Sequence, residues 1–214
     1  MKKPLIILTG PTAVGKTKLS ISLAQAVNGA IISADSMQVY RHMDIGSAKI
    51  RPEEMCGVPH YLIDVLDPSE EFHVVKFVEL AHEAMEKIYA AGQIPIVTGG
   101  TGFYIQALLK EVDFTESHGE LPIRKQLEEK AATEEGAAEL YRELSEVDPA
   151  SAETIHPNNV KRVIRALEYY HETGQKISEH NEEQKQKESP YCSAYFVLND
   201  ERSILYDRID RRVG

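Results

Sequence analysis

The chain has few of the features that mark secreted, membrane-spanning or metal-clustered proteins. Its only thiols, Cys56 and Cys192, stand far apart and without metal-type spacing. A disulfide framework and a zinc site are both disfavoured, and the expectation is reduced thiols in a cytoplasmic protein. No apolar stretch approaches the length of a bilayer span, and the run Leu5–Leu8 is too brief for a signal peptide. No membrane partner is therefore expected. Internal repeats are lacking too. Cations are in the minority, 24 Lys and Arg against 34 Asp and Glu, giving a formal net charge of −10. That balance argues against a nucleic-acid coat protein but allows a nucleic-acid enzyme with a local basic patch. Acidic residues gather in Glu128–Glu146 and Glu179–Glu188, leaving Lys161, Arg162 and Arg165 as a separate basic group.

What the chain does have is a phosphate-binding signature near its start. Gly10-Pro11-Thr12-Ala13-Val14-Gly15-Lys16-Thr17 follows the apolar run Leu5-Ile6-Ile7-Leu8 and precedes a helical pattern. This is the spacing of a P-loop in its required strand–turn–helix context. Amides in such a turn point inward at phosphate oxygens, and the following helix N-terminus favours negative charge. Lys16 then reaches the terminal phosphates, and the Thr17 hydroxyl serves Mg²⁺. A diphosphate or triphosphate ligand is expected.

Hydrophobic residues make up 42% of the 214, enough for a sizeable core. Strand patterns at Leu5–Thr9, Ala30–Ser33, Tyr61–Val65, Ile94–Thr98 and Ser193–Leu198 alternate with helical ones at Lys18–Val27 and Val74–Ala91. The expected fold class is α/β, a P-loop NTPase-like parallel sheet core flanked by helices. Between Phe114 and Ser189 the strands give way to helical patterns at Ile123–Glu135, Ala137–Glu146 and Val160–Glu172. That texture predicts a helical insert over 114–185, with the core formed by 1–113 and 186–214. The polar run Glu182–Glu188 reads as an exposed linker or a solvated helix end.

Ligands of parallel sheets sit beyond the carboxyl ends of the strands. Three loops there carry candidate chemistry. The first is the P-loop. The second holds Asp35, which could act as general base or metal partner, or cap the next turn. The third, Gly99-Gly100-Thr101-Gly102, lets a ligand approach the backbone and exposes the Thr101 hydroxyl, unless it is merely a tight turn. No acid ends that strand, which weakens a routine ATPase or kinase reading. On Val160–Glu172, the residues Val160, Val163, Ile164 and Leu167 form an apolar face. Lys161, Arg162 and Arg165 lie off that face, either solvated or placed for phosphates. Asn159 is positioned to cap the helix, and His156 reads as structural. Arg208 and Arg212, four apart on a helical pattern, could bind a diphosphate or pair with Asp207 and Asp210.

Taken together, these motifs resemble the tRNA isopentenyltransferase family. The blocks that carry the resemblance are Gly10–Thr17, Ser33–Gly46, Pro59–Asp64, Gly99–Tyr104, Ile155–Arg162 and Leu205–Ile209, so it covers nearly the whole chain. The second and fourth blocks together are highly specific. The resemblance implies transfer of a dimethylallyl group from dimethylallyl diphosphate to N6 of the adenosine just 3′ of the anticodon in tRNA, with Mg²⁺ as cofactor. It implies Asp35 as the base and Thr101 on the bridging oxygen, with the P-loop and Arg208 on the diphosphate. It also implies tRNA contacts from Asp35, Ser36, Met37, Gln38, Thr101, Arg124, Asn159, Val160, Lys161, Arg162, Val163 and Arg165. The helical insert would clamp an anticodon loop whose target base is flipped out, and Gln38 and Asp35 would read the adenine edge. Members usually continue past the Arg-Val seen here, and Gly214 stands where their pattern has Asp. A monomer is expected.

Two other classes compete. A nucleotide or small-molecule kinase would use the insert as a lid, and a silent nucleotide-gated module would only bind. The absent acid after Val97 opposes the first, and the intact Lys16, Thr17 and Asp35 oppose the second.

Overall fold

A computed structural model describes residues 2–111 and 122–213. The chain divides into two compact units, Met1–Val112 with Glu188–Gly214, and Asp113–Lys187. The expected start of the insert at Phe114 lies outside the described residues, as does Gly214.

The first unit is built on a parallel sheet of β1 (Lys3–Thr9), β2 (Gly29–Ser33), β3 (His60–Tyr61), β4 (Ile94–Gly99) and β5 (Tyr191–Val197). Its order is β3-β2-β4-β1-β5. Helices α1 (Lys16–Val27), α2 (Val74–Ala90) and α3 (Gly102–Lys110) belong to this unit. The second unit holds α4 (Pro122–Lys130), α5 (Glu134–Val147), α6 (Pro149–Thr154), α7 (Val160–Thr173) and α8 (Ile177–Gln186). After β5 the chain ends in α9 (Arg202–Val213).

Successive strand residues point to opposite faces, so a strand covered on both sides is apolar throughout. Ile7, Ile32 and Val97 pack with Phe77, Met85 and Ile88 of α2 and Ile105 and Leu108 of α3. Their neighbours Ile31 and Ile96 pack on the other face with Ile21 and Ala24 of α1. Helices thus cover both faces, as the run-like strand patterns require. The second unit has its own core, where Leu127, Leu140 and Leu144 meet Val163, Ile164 and Leu167.

Register aligns the strand ends. Thr9 pairs with Gly99, and Ser33 with Thr98. The chain leaves all three central strands at one edge, into the P-loop, the Asp35 turn and the Thr101 turn.

Several elements differ from the sequence expectation. The strand expected over Tyr61–Val65 ends at Tyr61, because Leu62 (φ 62°) and Asp64 (φ 54°) turn left-handed and break the pleat. The helix expected to reach Glu135 stops at Lys130, since Thr133 caps α5 by accepting the Gly136 N–H at 3.1 Å. The polar run after Glu182 is the end of α8 as far as Gln186, exposed except for the buried Gln184.

Candidate active site

The P-loop starts from a backbone that only glycine fits. A Cβ on Gly10 (φ 150°) would lie 2.4 Å from the Leu198 carbonyl oxygen, and the Leu198 N–H in turn bonds the Thr9 carbonyl at 2.8 Å. From there Ala13 (φ 65°) and Gly15 (φ 98°) turn left-handed, a curl of the kind that gathers amides around an anion. Gly15 leads directly into α1, so the free amides of that helix face the same place. Pro11 and Thr12 are exposed along the loop, and Val14 is half-buried. Lys16 folds back, its Nζ donating to the Gly10 and Pro11 carbonyls at 2.8 Å each.

Arg208 of α9 arrives at the same loop from the far end of the chain. It donates to the Ala13 carbonyl at 3.5 Å and pairs with Asp200 at 3.0 Å. Its ion-pair partner is thus Asp200, in place of the Asp207 or Asp210 pairing open from sequence. The Arg212 side chain lies outside the described residues.

Asp35 follows β2 with one oxygen engaged locally: Oδ1 accepts the Met37 N–H at 2.8 Å and the Gln38 N–H at 3.3 Å. That is the turn-capping role available to an Asp-Ser pair. Among the described residues its Oδ2 makes no hydrogen bond, and the side chain lines a cleft shared with Lys16, Thr17, Gln38, Thr98 and Gly99. Capping and facing the ligand site are therefore compatible. Ser36 and Met37 are exposed beside it.

Gly99 closes the third side. A Cβ there would stand 2.3 Å from the Ala34 carbonyl oxygen, so only glycine lets β4 run this close to the start of the Asp35 loop. Thr101 is half-buried at the N-cap of α3, and its hydroxyl makes no capping bond.

Two cleft residues escaped sequence reasoning. His60 is half-buried and its Nδ1 donates to the Val58 carbonyl at 2.8 Å, leaving Nε2 as an acceptor. Burial lowers its pKa, opposed by that bond, which favours the neutral ring. Thr98 carries a buried hydroxyl with no partner among the described residues. A buried orphan polar atom lining a cleft fits a polar ligand. Neither position stood out from sequence, because a strand-end Thr and a His after Pro are common in structural roles.

In the second unit Lys161 and Arg162 are exposed on α7. Arg165 pairs at 3.0 Å, and Arg124 at 3.4 Å, with the same Glu168 carboxylate; Arg124 also pairs with Glu128 at 3.1 Å. Asn159 is exposed at the start of α7, but its side chain makes no capping bond, so capping falls to its backbone carbonyl. Val160 is partly buried against the core of this unit. Val163 requires a correction: at 1% exposure it belongs to that core, and its side chain is unavailable to RNA. The i, i+3, i+4 spacing that makes it apolar-face also places it inward.

A fit for Mg²⁺ rests on hard oxygen donors, and the cleft offers the exposed Thr17 hydroxyl beside Lys16. Among the described residues no cluster of His, Cys, Asp and Glu forms a protein-only metal cage. No described helix is long and apolar enough to cross a membrane.

The model of the family described as IPP transferase matches residues 38–214. A tRNA dimethylallyltransferase of Lachnoclostridium phytofermentans is 65% identical over 211 residues, covering 99% of this chain and 67% of the relative. One from Bacillus mycoides is 50% identical over 213 residues, covering 100% of this chain and 67% of its own length. Among solved structures, a eukaryotic dimethylallyltransferase acting on tRNA superposes with a TM-score of 0.85 at 40% identity. The match covers 99% of this chain and 52% of that one. The full-length tRNA isopentenylpyrophosphate transferase of Bacillus halodurans gives 0.66 at 46% identity, covering 100% of this chain and 65% of its own. The chain thus spans about half the length of the eukaryotic structure and about two thirds of the bacterial relatives.

Proposed function

The chain belongs to the IPP transferase family, and from that premise we propose that it transfers a dimethylallyl group from dimethylallyl diphosphate to N6 of an adenosine in tRNA, releasing diphosphate. The adenosine is the one 3′-adjacent to the anticodon. The observation that carries this reading is the meeting of a P-loop lysine and a free carboxylate oxygen in one cleft, without a carboxylate at the end of β4. Phosphoryl transfer asks for such an acid on Mg²⁺; carbon–oxygen cleavage does not.

In this reaction the carbon–oxygen bond of the allylic diphosphate breaks and its electron pair leaves with the diphosphate. The P-loop amides, Lys16 and Arg208 stabilise that developing charge. Mg²⁺ held at Thr17 supplies further neutralisation of the diphosphate when bound. The Thr101 hydroxyl donates to the departing bridging oxygen. Adenine N6 attacks the freed allylic carbon, and the proton it sheds passes to Asp35. A conjugated amine is a weak nucleophile, and general-base help of this kind contributes about 10²–10⁴-fold.

The reacting adenine is out of reach while stacked, so it is flipped into the cleft, where Gln38 and Asp35 meet its edge. The second unit binds the RNA backbone through Lys161 and Arg162. Cytoplasmic tRNA is the substrate pool, and the protein works as a monomer.

Nucleoside mass spectrometry tests the proposal. Incubation with unmodified tRNA, dimethylallyl diphosphate and Mg²⁺ should add one C5H8 unit to a single adenosine. Hydrolysis of ATP or phosphate transfer to a small acceptor, with tRNA unmodified, would instead support the kinase reading.

A further inference from the structure

Away from the P-loop, the buried Lys49 helps hold together the segment that presents Asp35. The Lys49 side chain is 4% exposed, and its Nζ donates to the Tyr40 carbonyl and to Asp44 Oδ1 at 2.7 Å each, and to Asp64 Oδ1. Asp44 and Asp64 are themselves 66% and 50% exposed. Two carboxylates on different loops are thus pinned to a single ammonium beneath them.

The bonds continue toward the cleft. The Asp64 N–H donates to the Gln38 carbonyl at 3.2 Å, and the Gln38 N–H donates to Asp35 Oδ1 at 3.3 Å. Val65 and Leu66 both donate to the Val39 carbonyl, at 2.9 and 3.1 Å, and the Arg41 N–H donates to the Leu66 carbonyl at 2.8 Å. Residues 35–49 form a strap sewn to residues 62–66, with Lys49 as the knot. The strap carries left-handed backbone at His42 (φ 64°) and Ala48 (φ 46°), and its partner loop at Leu62 and Asp64. Non-glycine residues hold that conformation only when their surroundings over-determine it. Arg41 adds bonds from the strap to the Asp64 and Val65 carbonyls at 3.1 and 3.4 Å, but Lys49 is the buried charge that Asp44 and Asp64 share, and removing it would leave both carboxylates without that partner. Burial weighs against the ammonium, but the hydrogen bonds and charges of Asp44 and Asp64 outweigh it and keep Lys49 protonated beyond the ordinary lysine range.

We propose that Lys49 is a positioning residue for prenyl transfer: through Asp64 and Gln38 it fixes the turn that aims the Asp35 carboxylate at the acceptor amine. The inference rests on the role given to Asp35 above. Acceptor chemistry and donor binding can be read out apart, since the P-loop is tied to Arg208 and, through Thr9, to Leu198, whereas the Lys49 bonds run to Tyr40, Asp44 and Asp64.

Lys49→Met should slow single-turnover transfer by about 100-fold, the order expected for a reacting group displaced by about an ångström. Affinity for inorganic pyrophosphate with Mg²⁺, a probe of the P-loop alone, should stay within about twofold of wild type. Lys49→Arg keeps the charge and can fork to both carboxylates, and should recover most of the rate. If Lys49→Met does not fold, Asp44→Asn carries the same test from an exposed partner, with an expected loss of about tenfold in transfer rate. Transfer at the wild-type rate in the soluble variant would overturn the proposal. So would parallel loss of transfer and pyrophosphate binding, which marks a general structural pair. A wild-type protein that transfers nothing to tRNA overturns the functional reading and this inference together; an active wild type matched by its variants overturns this inference alone.

Discussion

The Arg165 guanidinium stands 3.0 Å from the carboxylate of Glu168, a residue 1% exposed, and shares it with Arg124 from another helix. A buried carboxylate needs compensating charge, and these two arginines supply it. Their positive charge is therefore partly spent inside the second unit. Lys161 and Arg162, one turn earlier and exposed, have no such internal partner among the described residues.

That division predicts unequal roles in RNA binding. Removing one side chain that neutralises an RNA phosphate should lower the slope of log K against log salt by about 0.7–0.9. Lys161→Ala and Arg162→Ala should each do this with little effect on thermal stability. Arg124→Ala and Arg165→Ala should change the slope less and lower the unfolding temperature. Filter-binding titrations over a salt series, with melting curves alongside, distinguish the two classes. Equal slopes for all four variants would contradict the division.

Asp35→Asn isolates the proton-accepting role from the turn. The amide oxygen of Asn can still accept the Met37 and Gln38 N–H groups that Asp35 Oδ1 accepts now. Turnover should fall by about 10²–10⁴-fold, with pyrophosphate affinity nearly unchanged. Such a pattern marks a transition-state role. Losing both in proportion would remove Asp35 as the base.

Acid should loosen the second unit through Asp148. This buried carboxylate accepts from Ser151 N and Oγ at 3.1 and 2.7 Å and from Ser178 N and Oγ at 3.0 and 2.6 Å. Burial alone would raise its pKa, and the four bonds overcome that and lower it. A pKa lowered on folding stabilises the protein above the unfolded-state value near about 3.9, and that stabilisation is lost as pH falls through the folded value. Asp148→Asn should therefore cost about 2–3 kcal/mol at neutral pH. The difference from wild type should shrink below about pH 4. Hydrogen exchange of the α6 and α8 amides in both proteins reads this directly; a gap independent of pH would exclude the carboxylate as its source.

The fold class was legible because both layers leave period signals. Apolar runs such as Ile94–Thr98, short and bounded by Gly-rich turns, fit strands covered on two sides, and Phe77, Ala81, Met85 and Ile88 mark one helix face. The Tyr61–Val65 strand misled because the β-formers Tyr61, Ile63 and Val65 alternate with Leu62 and Asp64, which turn left-handed, and tertiary pairing with residues 38–39 accompanies that turn. The P-loop could be read since its spacing is local. The spacing of Arg208 and Arg212 suggested a diphosphate contact, but the approach of Arg208 to Ala13, 195 positions away, is not local and only the resemblance put it at the P-loop. Lys49 gave no signal at all, since nothing in a Ser-Ala-Lys-Ile run distinguishes a buried lysine from a solvated one. Val163 shows the opposite failure: a residue beside a functional block, offered as a tRNA contact, puts its side chain in the core of the second unit.

The claim on which the rest depends is that the P-loop holds an allylic diphosphate. Calorimetric titration of dimethylallyl diphosphate with Mg²⁺, into wild type and Lys16→Ala, tests it most directly. The account predicts saturable binding that inorganic pyrophosphate competes away and that Lys16→Ala weakens at least about tenfold, the scale of a charge-assisted hydrogen bond. Donor binding indifferent to Lys16, or a site that takes ATP and refuses the prenyl donor, would contradict it.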